Sequence, residues 1–141
     1  VGPYGYCADI SRTFVCGNNF NNNQKALYSM SLEQINHNSN LIKADMSFRE
    51  FIEKSWKLPE EYYGNRYSVM VHGIGLCDEW PSIRYPSDGG DRSGRFHKNM
   101  TITVESYIGK VGGKEGVKLE QQYLVGENGL ELMSHHPLED I

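Results

Sequence analysis

The sequence of 141 residues predicts one α+β domain, in which an antiparallel sheet is backed by helices. Two observations lead to this prediction. Apolar residues recur at helical spacing over about residues 23–42, whereas residues 101–108 alternate between apolar and polar as a strand does. A glycine-rich turn then connects this strand to a second one over 117–125, so the two strands are expected to form a hairpin.

The other elements follow from local signals along the chain. Aromatic and β-branched residues over 4–15 predict a strand, and a loop rich in glycine and asparagine separates it from the first helix. Ser47 followed by Glu50 is a capping-box pattern, which predicts a second helix over about 47–57. The remaining expectations are a short helix after Pro59, a strand over 67–71, a long loop over 81–98 and a short strand after the turn at 127–129.

Charge and composition exclude some classes of protein. The net charge of −4 and the lack of a basic run argue against a nucleic-acid surface. No stretch has the apolar length of a membrane span, so we expect no membrane association. Cys7, Cys16 and Cys77 lack zinc-type spacing, which predicts reduced thiols in a cytoplasmic protein. Because the chain begins at Val1 without a lead-in, we expect it to be the C-terminal part of a longer protein.

A histidine motif lies near the middle of the chain, where residues 71–81 read V-H-G-I-G-L-C-D-E-W-P. His72 stands between an apolar run and two closely spaced glycines, and the carboxylates Asp78 and Glu79 follow. An imidazole at the end of an apolar strand, with little side-chain bulk beside it, can reach a metal ion or a substrate. A hydrogen-bonded histidine in the core is the alternative interpretation of the same pattern.

Three carboxylates complete a candidate metal site with His72. Glu105 and Glu120 lie on the two strands of the predicted hairpin, which can bring them within a few ångströms, and Asp9 lies on the first strand. Paired carboxylates repel unless protons or cations compensate them. Carboxylate oxygens with one imidazole suit Mn, Fe, Co or Zn, and carboxylates can bridge two such ions. Solvated strand glutamates are the alternative.

Four motifs in order and spacing resemble those of the pita-bread metalloenzymes, which include methionine aminopeptidases, prolidases, Xaa-Pro aminopeptidases and creatinases. The motifs are G-Y-C-A-D-I-S-R-T, V-H-G-I-G-L, M-T-I-T-V-E and G-V-K-L-E-Q-Q-Y-L-V. The resemblance implies a curved, mainly antiparallel sheet with the metal site on its concave face. It also implies that Asp9, His72, Glu105 and Glu120 are the second to fifth of the family's five ligands.

The same resemblance has a consequence for the extent of the chain. The family's first aspartate lies about ten residues before the second, which places it before Val1. The resemblance therefore implies that residues 1–141 are the C-terminal part of a catalytic domain, without the N-terminal domain and the strand of the first ligand. We expect this part alone to be poor in metal and inactive.

The peptidase branches of the family carry a second histidine seven residues after the first, and here that position is Glu79. The combination H-G-I-G-L-C-D-E-W-P instead resembles the peptidase-like dimethylsulfoniopropionate lyases. By that resemblance Asp78 is the base of a β-elimination and Tyr67 a second catalytic residue. Tyr67 and Trp80 are expected to lie beside a small-molecule substrate. The resemblance further implies two divalent transition-metal ions, iron first and Mn, Co or Zn as alternatives, and a homodimer. A Xaa-Pro dipeptidase or aminopeptidase, a creatinase-like hydrolase and a metal-free binding domain remain alternatives.

Overall fold

An antiparallel sheet forms the centre of the structure, which is a computed structural model that describes residues 2–17, 19–76 and 79–138. Within these residues the sheet has five strands in the order β2-β1-β3-β4-β5. The strands are β1 Val69–Gly73, β2 Ser82–Arg84, β3 Thr101–Gly109, β4 Gly116–Val125 and β5 Leu130–Leu132. Every neighbouring pair is antiparallel, which confirms the predicted fold class.

Three α-helices accompany the sheet in the described part of the chain: α1 Asn22–Leu41, α2 Phe48–Lys54 and α3 Glu60–Tyr63. Helix α1 begins with a capping box between Asn21 and Gln24. The cap expected for α2 forms only in part. The backbone N–H of Glu50 donates to the Ser47 hydroxyl at 3.1 Å, but the Glu50 carboxylate pairs with Lys54 at 2.7 Å instead of reaching back.

The hydrophobic core lies between α1 and one face of the sheet. Alternate residues of β3 and β4 supply this face, and Ile102, Val104 and Leu119 are fully buried there together with Ile35 of α1. Since successive side chains of a strand point to opposite faces, the residues between them lie on the other face of the sheet. That other face carries the candidate site.

Helix α1 packs on the sheet partly through polar side chains. Ser31, Gln34 and Asn38 are fully buried on its inner face. The Ser31 hydroxyl donates to Ser106 Oγ at 3.0 Å, Ser106 donates to Gln34 Oε1 at 2.6 Å, and Gln34 Nε2 donates to the Tyr85 hydroxyl at 2.5 Å. This chain of hydrogen bonds satisfies groups that would otherwise be costly to bury.

Two predictions about the elements are wrong. Residues 4–15 do not form a strand: a 3-10 turn at Pro3–Gly5 is followed by extended chain in which only Ser11 forms a β-bridge. Side chains such as those of Thr13 and Gln122 take the place of backbone partners along this segment. The expected loop 81–98 contains strand β2, because pairing with β1 stabilises three residues that carry no strong strand signal.

Candidate metal centre

The site lies on the face of the sheet that points away from α1. His72 of β1 is paired with Thr103 of β3, and Thr103 is paired with Gln122 of β4, so these three side chains form one row. Glu105 and Glu120 are paired directly in the neighbouring row. Directly opposite residues of an antiparallel pair share a face, so the hairpin places both glutamates on the site side, as the sequence predicted.

The segment before α1 carries Asp9 to this face. Its backbone is held at successive points: Cys7 N–H donates to the Gly75 carbonyl at 2.9 Å, and Asp9 N–H donates to Gln122 Oε1 at 3.3 Å. Ser11 and Glu120 then exchange backbone hydrogen bonds at 3.3 and 3.1 Å. The contacts of Asp9 and Ser11 span more than 100 residues of sequence, and they bring Asp9 to β4 without a regular strand.

Four of the predicted site residues meet at one place. One potential ligand atom each of Asp9, His72 and Glu120 lies within 4.8 Å of the other two. His72 Nε2 lies 3.3 Å from Glu120 Oε1 and 3.6 Å from Glu105 Oε1. The other imidazole nitrogen, Nδ1, lies 2.9 Å from the Gly73 carbonyl. This carbonyl can accept a hydrogen bond from Nδ1–H, so that Nε2 faces the carboxylates.

The second carboxylate oxygen of each glutamate, Oε2, lies near Lys118. Lys118 Nζ contacts Glu105 Oε2 and lies 3.8 Å from Glu120 Oε2. The Ser11 hydroxyl donates to Glu120 Oε2 at 2.9 Å. Lys118 also lies with its Nζ 4.1 Å from the centre of the Tyr67 ring. Each glutamate therefore has one oxygen toward His72 and one toward Lys118.

Burial and charge shift the ionisation of the site in the absence of metal. Burial, only partly offset by Lys118, raises the pKa of Glu105 to about 7. Burial alone would lower the pKa of His72, but the hydrogen bonds to Glu120 and Gly73 and the two negative charges raise it to about 9. Burial likewise opposes ionisation of Glu120, yet contacts with His72, Lys118 and Ser11 lower its pKa below the usual value.

The residues fit a divalent metal ion. Glu105 Oε1 is buried and has no hydrogen-bond partner among the residues that the structure describes, so one oxygen in the cluster is open to a ligand. Three carboxylates and one imidazole are donors that transition metals accept. The raised pKa of His72 means that a metal ion bound there would displace a proton.

The two predicted substrate residues that the structure describes differ in their relation to the cluster: Tyr67 lies against Lys118, whereas Trp80 borders a groove that none of the four predicted ligands lines. Tyr67 and Trp80 are partly exposed, at 43% and 63%. The Trp80 carbonyl lies so close to Gly73 that a Cβ atom on Gly73 would be 1.8 Å from it, so the glycine allows the chain after the motif to fold back onto β1. Trp80 borders an open groove of about 560 Å³ that Ser82 and Arg84 also line. The predicted base, Asp78, lies outside the described residues.

Lys118 is the residue of the site that sequence reasoning did not assign. Alternation along β4 places it on the same face as Glu120, two residues on, so its side was predictable. Its contact with Glu105 was not predictable, because the sequence of a strand does not show which group the ammonium of a lysine contacts.

The sequence profile described as metallopeptidase family M24 matches residues 1–127. The dimethylsulfoniopropionate lyase DddP of Roseovarius nubinhibens is 34% identical over 143 aligned residues, which cover 99% of this chain and 32% of that protein. The chain thus spans about a third of the length of this curated relative.

Solved structures of related enzymes share the fold. The Xaa-Pro dipeptidase from Bacillus anthracis superimposes with a TM-score of 0.75 at 30% identity, over 96% of this chain and 37% of that one. The X-Pro aminopeptidase from Thermotoga maritima gives the same TM-score and coverage at 27% identity. The sheet and helices therefore form part of a pita-bread fold.

None of the helices within residues 2–17, 19–76 and 79–138 is long and apolar enough to cross a membrane.

Proposed function

The chain belongs to metallopeptidase family M24. We propose that it forms part of a metal-dependent lyase that cleaves dimethylsulfoniopropionate into dimethyl sulfide and acrylate. The observation that carries this proposal is the motif of residues 72–81, in which Glu79 stands where the peptidase branches place a second histidine and Asp78 precedes it. The 34% identity to a dimethylsulfoniopropionate lyase over nearly the whole chain supports the same reaction.

In this proposal Asp9, His72, Glu105 and Glu120 hold divalent metal ions. The support for it is the donor set, the short separations of the ligand atoms and the Glu105 oxygen that has no hydrogen-bond partner within the described part of the chain. We propose two ions per site in the complete enzyme, with iron as the native metal and Mn, Co or Zn as alternatives. Bound ions would hold the substrate carboxylate and stabilise the negative charge that develops next to it.

In this proposal Asp78, Tyr67 and Trp80 perform the elimination. Asp78 removes the proton α to the substrate carboxylate, the electron pair forms the new carbon–carbon double bond, and the β carbon–sulfur bond breaks to release dimethyl sulfide. The substrate sulfonium is a permanent cation, which aromatic faces bind. Tyr67 and Trp80 are assigned to this role, since both are partly exposed and the Tyr67 ring already contacts an ammonium.

A metallohydrolase is the second candidate function. The shared fold and 30% identity with a Xaa-Pro dipeptidase favour cleavage of Xaa-Pro bonds, and creatinase-like hydrolysis belongs to the same alternative. Under this alternative Glu79 would have to replace the second histidine of the peptidases.

We also propose that the complete enzyme is a cytoplasmic homodimer. Resemblance to the lyases supports the dimer, and the cysteine pattern supports a reducing compartment. Cys7 and Cys16 are free thiols in the structure.

The test is a pair of assays on the metal-loaded protein that contains this chain. We expect release of dimethyl sulfide from dimethylsulfoniopropionate and no cleavage of a Xaa-Pro dipeptide. Asp78→Asn keeps the size of the side chain and removes its basicity, so lyase turnover should fall by ~10²-fold or more while metal content is retained. Asp45→Asn is the control: this exposed carboxylate has a positive φ that asparagine also tolerates, and turnover should not change. Cleavage of the dipeptide without release of dimethyl sulfide would reject the lyase proposal in favour of the hydrolase.

A further inference from the structure

Lys118 occupies a position that the proposed reaction does not use. It precedes Glu120 by two residues on β4, and its ammonium contacts Glu105 Oε2 while lying 3.8 Å from Glu120 Oε2. The two glutamate side chains are only 2% and 3% exposed, whereas the Lys118 side chain is 29% exposed. The ammonium therefore stands at the mouth of the site, between the solvent and two buried carboxylates.

Buried carboxylates at this separation need positive charge nearby. Among the residues that the structure describes, the ion pairs to Glu105 and Glu120 come from His72 on one side and Lys118 on the other. Asp9 adds a third carboxylate to the same cluster. Lys118 thus supplies, from within the chain, part of the positive charge that a metal ion would supply.

We propose that Lys118 is the internal counter-cation of the metal-free site, and that a metal ion must displace its ammonium from Glu105 and Glu120. Lys118 then stabilises the metal-free chain and weakens metal binding, because an ammonium and a dication compete for the same carboxylates and repel each other. The inference rests on the proposed metal site, but it is independent of whether the reaction is elimination or hydrolysis.

The surroundings of Lys118 allow it to leave. Its four-carbon stem is flexible and partly exposed. The Tyr67 ring lies 4.1 Å from Nζ, which gives the ammonium a second partner that is not a predicted ligand. A lysine that oriented the glutamates for the metal would have the opposite effect, since its removal would weaken metal binding. The sign of the change separates the two roles.

The experiment uses the protein that contains this chain, and it measures Zn²⁺ binding by competition with a chromophoric chelator and thermal unfolding in EDTA. Lys118→Met keeps the length of the stem and removes the charge. We expect Zn²⁺ to bind on the order of tenfold more tightly. The metal-free midpoint of unfolding should fall by about 3 °C. Lys118→Arg keeps the charge and should resemble the wild type. Lys98→Met, which removes an exposed lysine paired with Glu127 away from the site, should change neither quantity.

Unchanged or weaker Zn²⁺ binding in Lys118→Met would overturn the inference. Glu105→Gln separates this failure from failure of the metal site: binding that is lost in Glu105→Gln but not tightened in Lys118→Met rejects only the role of Lys118. Binding that is insensitive to both rejects the metal site and the inference together.

A measurement on the wild type tests the proposal even if the Lys118→Met variant fails to fold. Acetylation of Lys118, read by mass spectrometry, should increase when Zn²⁺ is added, because the ammonium is released from the glutamates. Equal or reduced labelling in Zn²⁺ would contradict the proposal, and Lys98 provides the internal reference.

Discussion

His72 is the residue whose charge state controls the metal-free site. Its Nε2 faces both buried glutamates, and these contacts outweigh the cost of burial and raise its pKa to about 9. A histidine in an unfolded chain has a pKa near 6.5, so the folded chain binds its proton more tightly. The stability that this proton contributes is fully present below about pH 6.5 and is lost as the pH rises through about 9.

We therefore expect the free energy of unfolding of the metal-free chain to fall by on the order of 2 kcal/mol between about pH 7.5 and pH 10 because of His72. Glu105, whose pKa is about 7, has mostly ionised below this interval and contributes little to the change. Urea denaturation in EDTA at the two pH values measures the effect. His72→Gln is the reference that removes it. Parallel pH dependence in the wild type and His72→Gln would contradict the assigned charge state.

At the residue scale, the sequence predicted the carboxylates and the histidine of the cluster, but not the lysine that neutralises part of their charge. Asp9, His72, Glu105 and Glu120 could be proposed as ligands because their motifs have family spacing, and they lie together in the structure. Lys118 could not be proposed, because its contact depends on the conformation of a flexible side chain across a strand pair. The ligand roles themselves stay predictions until a metal is measured.

At the element scale, β1 joins the site to the chain that follows it through Gly73. A Cβ atom there would lie 1.8 Å from the Trp80 carbonyl and 2.9 Å from Pro81 Cδ. Gly73 also donates its N–H to the Pro81 carbonyl at 2.8 Å. This close approach holds residues 80–81 against the strand that carries His72.

We expect Gly73→Ala to destabilise the chain by about 1–3 kcal/mol, the typical cost of overpacking, because the added Cβ meets backbone atoms. Gly129→Ala is the matched control, since nothing lies within 4 Å of the position of its added Cβ, and its effect should be much smaller. Chemical denaturation of both variants measures the difference. Equal stability of the two would show that the chain around Trp80 does not pack on Gly73 as described.

The elements that sequence predicts are those with a strong local pattern. Helix α1 and the hairpin of β3 and β4 lie within one or two residues of the predicted bounds. The polar part of the inner face of α1 has no local signal, because Ser31, Gln34 and Asn38 resemble surface residues in the sequence but are buried and bond to groups distant in the chain. Strand β2 escaped prediction because its stability comes from β1 rather than from its own three residues.

At the scale of the whole molecule, the site depends on contacts between segments far apart in the chain. Arg12 shows this most clearly: it donates to the Glu120 carbonyl at 2.6 Å, to Gln121 Oε1 at 2.5 Å and to the carbonyls of His136 and Pro137 at 2.5 and 2.9 Å. One side chain thereby ties the segment of Asp9 to β4 and to the residues after β5. No local pattern predicts such a connection.

In the proposed site, Asp9, His72, Glu105 and Glu120 match four of the family's five ligand positions, and their three carboxylates repel one another without full compensation. We therefore expect the isolated chain to hold fewer than two equivalents of transition metal. Elemental analysis after purification and dialysis measures this number. Two equivalents per chain would mean that the four residues suffice for a binuclear site.

The central claim is that the cluster on the sheet face is a metal centre, and Zn²⁺ binding to the wild type and to Glu120→Gln tests it most directly. Glu120 contacts His72 and is grouped with Asp9, so the loss of its charge should affect any ion bound there. We predict that Zn²⁺ affinity falls by about 10-fold or more in Glu120→Gln, the fold-change that corresponds to about 1.4 kcal/mol, and that it stays unchanged in Glu33→Gln, which alters an exposed position on α1. Equal affinity in the wild type and both variants would contradict the account.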